Sequence, residues 1–272
     1  MFPASTFLPR CVKYTISGGV RQDRSERGMI QDMSTAAATQ RIVHGLEGPS
    51  PLLNVPGFDI VGSFNPDYMH CALLGVARQF AELWFAGVGE EYYIGDSTNQ
   101  SIVNARLCGL EPPQCINRPP QALKLRRYRK AAEWQCWVFY YCLLCLKHAL
   151  QETHYQHFEL SVTALYLLCK TEVTLGDVEI GTTKMIELVV LTEYLYGEPQ
   201  MTSNVHTLLH LSKAVLLHSP LWALSCFPFE SNMGHILKLV SSSNGVPLQL
   251  LSRLRNMSSD EVQDYLQVKK DM

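Results

Sequence analysis

At 272 residues and 30.7 kDa the chain is long enough to bury a core, and length alone admits one large domain or two small ones. Hydrophobic residues at 47% against charged residues at 18% exclude a disordered chain. A formal net charge of -2, from 23 Lys and Arg against 25 Asp and Glu, excludes a molecule-wide basic field, so any DNA contact must use a local patch.

Residues 1–47 are polar, with only a weak helical pattern near Ala36 to Val43, and read as a mobile lead-in. Met1 to Arg10 carries neither a basic n-region nor a sustained apolar run, and no stretch approaches the ~18 apolar residues of a membrane span. The expected location is nuclear or cytoplasmic and not secreted, with no membrane partner. Nine cysteines make an odd count, and Cys136, Cys142, Cys145 and Cys169 sit in apolar runs, which suits reduced, buried thiols better than a disulfide framework.

From Gly48 the character changes. Pro49, Pro51 and Pro56 keep the backbone extended, and Phe58, Ile60 and Val61 predict a short buried strand before the turn at Gly62-Ser63. From Asp67, apolar residues Met69, Leu73, Val76, Phe80, Leu83 and Trp84 recur at three-to-four spacing and predict an amphipathic helix ending near Gly87. A loop broken by Pro112-Pro113 and Pro119-Pro120 follows. A long helix is predicted from about Arg127 to Leu150, apolar nearly all round in its second half and therefore central in a bundle. Further helices are predicted over about 155–171, 178–196, 203–217, 229–241 and 246–255.

Four constellations can carry chemistry. Phosphodiester cleavage at neutral pH commonly uses two divalent ions held by carboxylates from distant parts of a chain. Asp67 and Glu230, each at a predicted helix start, are candidate Mg²⁺ ligands; each also has a purely structural reading as a helix N-terminal carboxylate. His206 and His210, four apart on one predicted helix, are candidate Zn²⁺ ligands if further ligands arrive from elsewhere. Cys142-x-x-Cys145 offers two thiols, with core packing as the rival reading. The run Lys124, Arg126, Arg127, Arg129 and Lys130 is a candidate DNA-phosphate contact or nuclear localisation segment, or a solvated helix start. With no Gly-rich phosphate loop and no nucleophile elbow, no small-molecule substrate is expected.

An ordered series of motifs resembles the catalytic core of animal CACTA (En/Spm)-like DDE transposases. It comprises Gly48-Pro49-Ser50-Pro51-Leu52, Phe58-Asp59-Ile60-Val61, Asp67-Tyr68-Met69-His70-Cys71, Lys130-Ala131-Ala132-Glu133-Trp134, Asn204-Val205-His206, His210-Leu211, Pro220-Leu221-Trp222 and Phe227-Pro228-Phe229-Glu230, within about residues 45–255. The resemblance implies a mostly α chain with a partial RNase H-like α/β core, interrupted by a large helical insertion. Residues 48–90 would carry the second acid, Asp67, with His70 one helical turn away; 91–215 would be the insertion, and 216–272 would carry the third acid, Glu230. It implies DNA as partner, Mg²⁺ as the metal of an intact ancestor, and leaves a homo-oligomer open. It also implies a first acid on an earlier strand and a Cys-x-x-Cys, of which Cys11 matches the second member and Leu8 stands where the first belongs. Asn65-Pro66 replaces the apolar residues usual before the second acid. The expectation is a transposase-derived protein, N-terminally truncated and catalytically inactive. The alternatives are a non-catalytic DNA- or protein-binding module recruited from a transposon, or an unselected remnant.

Overall fold

The computed structural model describes residues 13–16, 24–112, 114, 116 and 120–255; the candidate Cys11, together with Pro113 and Pro119, lies outside the described residues. They are mostly helical, with no β-strand among them; the one ladder element is the isolated bridge Val43–Leu46. None of their helices is long and apolar enough to cross a membrane. The chain divides into two compact units, Met1–Leu224 and Ser225–Met272.

The predicted strand over 58–61 is absent, and the reason is local. Asp59 closes the backbone on itself: its Oδ1 accepts the Val61 N–H at 2.8 Å and its carbonyl accepts the Ser63 N–H at 3.0 Å. A residue bound to its own neighbours in this way has no ladder to offer.

The lead-in is also more structured than its composition suggests. Helix α1, Glu26–Thr39, starts at Ser25, whose hydroxyl accepts the Gly28 N–H, and buries Met33 and Ala36. The predicted helix from Asp67 is present in two parts without a break, a π-helical segment Met69–Ala77 and α2, Arg78–Ala86. Helix α3, Ser97–Gly109, occupies what reads in sequence as loop; Asp96 caps it, accepting from the N–H groups of Thr98 and Asn99 at 3.0 and 2.9 Å.

The long helix expected over 127–150 is shorter. A 3₁₀ turn, Leu123–Tyr128, takes its first residues, and the helix runs as α4, Ala131–Cys136, a π-helical segment Trp137–Tyr141, and α5, Cys142–Leu146. Its buried face carries Trp134, Trp137, Val138, Tyr141, Cys142, Cys145 and Leu146, while Tyr140 and Leu144 face solvent. Helices α6, Glu152–Leu168, and α7, Leu175–Tyr196, pack along their lengths. A capping box starts α7: Thr174 Oγ1 accepts the Asp177 N–H, and Asp177 accepts the Thr174 N–H. Lys170 and Thr174 hold the Asp177 carboxyl down at about 2. After Gly197, at φ 80°, the chain turns into α8, Ser203–Thr207, a 3₁₀ turn Leu208–His210, and α9, Leu211–Leu217.

The core of this unit is aromatic. Phe80 and Trp84 of α2 meet Phe158 and His157 of α6 and Tyr196 of α7, with ring centroids 4.9 to 6.0 Å apart, and the Trp84 indole N–H donates to the Tyr196 hydroxyl at 3.1 Å. Tyr92 and His154 close the cluster. Each such ring contact adds about 0.5–1.5 kcal/mol beyond burial itself.

In the second unit α10, Phe227–Lys238, and α11, Val246–Arg255, are joined by a turn gathered on one side chain. Gln249 Oε1 accepts from Ser241 N–H at 2.9 Å, and Gln249 Nε2 donates to the carbonyls of Ser242 and Asn244.

Two consequences are measurable. Gly75, inside the π-helical segment, is where α8 crosses; a Cβ there would meet Asn204 Cγ at 2.6 Å and Asn204 Cβ at 2.9 Å, too near the backbone for a rotamer change to relieve. Gly75→Ala should therefore lower the unfolding free energy by roughly 1–2 kcal/mol in urea titrations, although alanine is the better helix former. The second concerns His157, whose Nε2–H donates to the Leu188 carbonyl at 2.9 Å. Burial pushes this ring down to about 4. An unfolded histidine binds its proton near pH 6.5, so below that pH the unfolded chain holds more protons, and stability declines until the folded ring also titrates. Between about pH 7 and about pH 4 this ring should remove on the order of 3 kcal/mol, and His157→Gln, which keeps a donor for Leu188, should flatten that part of the profile.

Candidate functional site

Asp67 follows Pro66 and sits where the backbone enters the π-helical segment. Its Oδ1 accepts the Met69 N–H and its Oδ2 the His70 N–H, both at 3.2 Å, while its carbonyl accepts the Cys71 N–H at 3.0 Å. His70 Nδ1 lies 2.5 Å from Asp67 Oδ2. In the tautomer protonated at Nδ1 the ring donates to this carboxylate and leaves Nε2 as the lone-pair nitrogen, the arrangement by which a carboxylate orients an imidazole for base or ligand chemistry. The carboxylate is mostly covered and the imidazole half exposed, 13% against 52%. Sequence spacing thus places this pair correctly.

Two buried neighbours in sequence, Tyr68 and Cys71, adjoin the dyad. The Tyr68 hydroxyl accepts from Gln135 Nε2 at 3.1 Å, and burial pushes the phenol upward, helped by Cys169 and Asp67. Burial, together with the charge of Asp67, pushes the Cys71 thiol up to about 12; burial alone takes Cys169 to about 12. Both are neutral thiols at neutral pH, neither nucleophiles nor thiolate ligands.

Glu230 belongs to the second unit. It stands exposed in the first turn of α10, behind Pro228, and its N–H donates to the Cys226 carbonyl at 2.9 Å. Among the described residues of the first unit, no Asp or Glu joins Asp67 and His70 as a third ligand-bearing side chain. One carboxylate already engaged by two backbone N–H groups and an imidazole does not meet the needs of two Mg²⁺ ions.

His206 and His210 are brought together. Their Nε2 atoms lie 3.4 Å apart, close to the ~3.3 Å that two nitrogens show on one tetrahedral zinc. Tyr14 stacks on His206 at 4.8 Å, and burial, then the neighbouring His210, lowers the His206 ring below its ordinary value. No third His, Cys, Asp or Glu of the first unit completes the pair among the described residues. Cys142 donates its thiol to the Val138 carbonyl at 3.2 Å, and burial pushes Cys145 up to about 11, so this pair is core packing. The residues present make half a zinc site.

The basic run is sorted by the 3₁₀ turn that carries it. With three residues per turn, side chains i and i+3 share a face. Leu123, Arg126 and Arg129 turn inward. Arg126 pairs with Glu82 at 3.0 Å and covers the Phe85 ring. Arg129, only 8% exposed, lies over Trp134 and Trp137, 5.5 and 5.1 Å from their centroids, and donates to the Gln121 carbonyl at 2.8 Å. Burial lowers its guanidinium below its ordinary value. Lys124, Arg127 and Lys130 are exposed, although Arg127 Nε also reaches the Glu82 carboxylate at 3.4 Å, and Leu125 and Tyr128 are exposed on the remaining face. Two of the five cations are thus anchors. Sequence reasoning missed Glu82, which lies 44 residues from Arg126 with no local signal, and Tyr128, the exposed aromatic between the cations.

Arg129→Gln should accordingly lower the thermal midpoint by several degrees, the effect of about 1–3 kcal/mol lost at a buried cation. Lys124→Gln should leave it unchanged within about 0.5 kcal/mol.

Searches against protein-family models, curated proteins and solved structures find no match to this chain.

Proposed function

We propose that the chain derives from a CACTA (En/Spm)-like DDE transposase and holds DNA without cutting it. The reading is supported by the ordered motif series and by the Asp67–His70 dyad within it, where two motif residues meet in a hydrogen bond. It takes the helical body from α3 to α9 as the insertion of an RNase H-like domain, whose sheet is not among the described residues. Asp67 and Glu230 would then descend from metal-holding acids. DNA is held by Lys124, Arg127 and Lys130, and the same segment serves as a nuclear localisation signal.

One observation carries the non-catalytic half. The Asp67 carboxylate is engaged by two backbone N–H groups and an imidazole, and among the described residues of its unit no further carboxylate joins it and His70 in a metal-sized cluster. Metal-assisted phosphoryl transfer needs several free carboxylate oxygens on one pair of ions.

The test is a labelled duplex incubated with the purified chain, read for binding by fluorescence anisotropy and for cleavage on a denaturing gel with Mg²⁺ or Mn²⁺. Binding should weaken as salt rises, survive Asp67→Asn and Glu230→Gln, and fall at least tenfold when Lys124, Arg127 and Lys130 are all changed to Gln. No divalent-dependent cleavage should be seen. Cleavage abolished by Asp67→Asn would restore a catalytic role, and the absence of any salt-dependent binding would end the DNA reading.

A further inference from the structure

The 3₁₀ turn presents more than charge. Tyr128 is 81% exposed and Leu125 is also exposed; three apart on a three-residue turn, they form one apolar ledge. The exposed cations Lys124, Arg127 and Lys130 lie on the adjoining face of the turn, Arg127 also sharing the Glu82 carboxylate with Arg126. The support beneath is rigid. Leu123 is buried and its N–H donates to Asn104 Oδ1 at 2.8 Å; Arg126 is tied to Glu82, and Arg129 lies over two indole rings. Five positive side chains face two carboxylates here, Glu82 and Glu133, so the local balance is basic although the chain as a whole is not.

An aromatic ring held out to solvent on this turn, beside a row of exposed cations, matches one ligand chemistry: an unpaired base with the phosphates of its own strand alongside. A base inside a duplex has both faces covered by its neighbours, whereas an unpaired one offers a free π-face to an aromatic side chain. Resting on the DNA reading above, we propose that Tyr128 is a stacking platform for an unpaired base, and that this surface prefers single-stranded DNA, such as a frayed or displaced end, to intact duplex. Arg127, Lys124 and Lys130 hold the phosphates of the same strand. Arg126 and Arg129 keep the platform still.

The experiment measures anisotropy with labelled oligothymidine, an abasic strand of equal length, a duplex, and oligouridine, with polyglutamate as competitor. Wild type should bind oligothymidine more tightly than the abasic strand or the duplex. Tyr128→Ala should weaken oligothymidine binding about tenfold to a hundredfold, as loss of one base–aromatic stack does, and leave the abasic strand and duplex unchanged. Tyr128→Phe should bind as wild type. The high exposure of Tyr128 leaves the fold indifferent to either change, which circular dichroism verifies. Salt-dependent binding that ignores Tyr128 overturns the stacking platform and leaves the DNA reading standing. No binding to any nucleic acid overturns both. Binding to oligouridine alone overturns the assignment to DNA, and equal competition by polyglutamate reduces the surface to a general polyanion patch.

Discussion

Trp84 and Tyr196 lie 112 residues apart, and the hydrogen bond between the indole N–H and the phenolic oxygen fixes the geometry of the first unit. It is buried, so breaking either half leaves a polar group without water, and the rings of Phe80, Phe158 and His157 pack around it. Trp84 lies at the far end of the helical run that begins beside Asp67. Tyr196 is the last residue of α7, immediately before the turn at Gly197 that leads to His206. One contact therefore sets the direction of two segments, and each carries one of the histidine-bearing motifs. The same convergence brings α8 against Gly75, where only a residue without a side chain leaves room for Asn204.

Much of this architecture was legible because burial imposes a period. The stretch from Met69 to Trp84, the run through Trp134 and Trp137, and the later helices carry apolar residues at three-to-four spacing. What escaped obeys other rules. Helix α3 is mostly polar and is fixed at its start by the side chain of Asp96, so no apolar stripe announces it. The expected strand failed because Asp59 bonds to its own neighbours, a local competition that an apolar count does not register. The basic run follows a period of three, which divides it into an anchoring face, a charged face and an apolar ledge; a 3.6 period mixes them. In the candidate site, His70 beside Asp67 and His206 beside His210 were readable from spacing. The engagement of Asp67 by the backbone was not, since it depends on how the chain enters a π-helical turn.

The chemistry left to the dyad is set by its surroundings. The charge of Asp67 helps to keep the Cys71 thiol and the Tyr68 phenol protonated, and burial does most of that work. Beside these neighbours, Asp67 also meets the half-exposed imidazole of His70. The dyad is accordingly a means of orienting an imidazole, and any cation would have to compete with the donors already bound.

The division of labour within the basic turn bounds how strongly it can hold a polyanion. Each cation that meets a phosphate releases roughly one condensed counterion, and the affinity falls with salt at about 0.9 per contact on a duplex. Arg126 and Arg129 are turned inward and Arg127 shares the Glu82 carboxylate, so at most three exposed cations are left to this segment. The logarithmic salt slope is then about -2.7 at most, and a fourfold rise in salt reduces the affinity by roughly fortyfold. A surface of that kind grips and releases within the physiological range of ionic strength. Tenure on any polyanion would then depend on how many such turns act at once, because joining two weak contacts raises their combined hold without strengthening either.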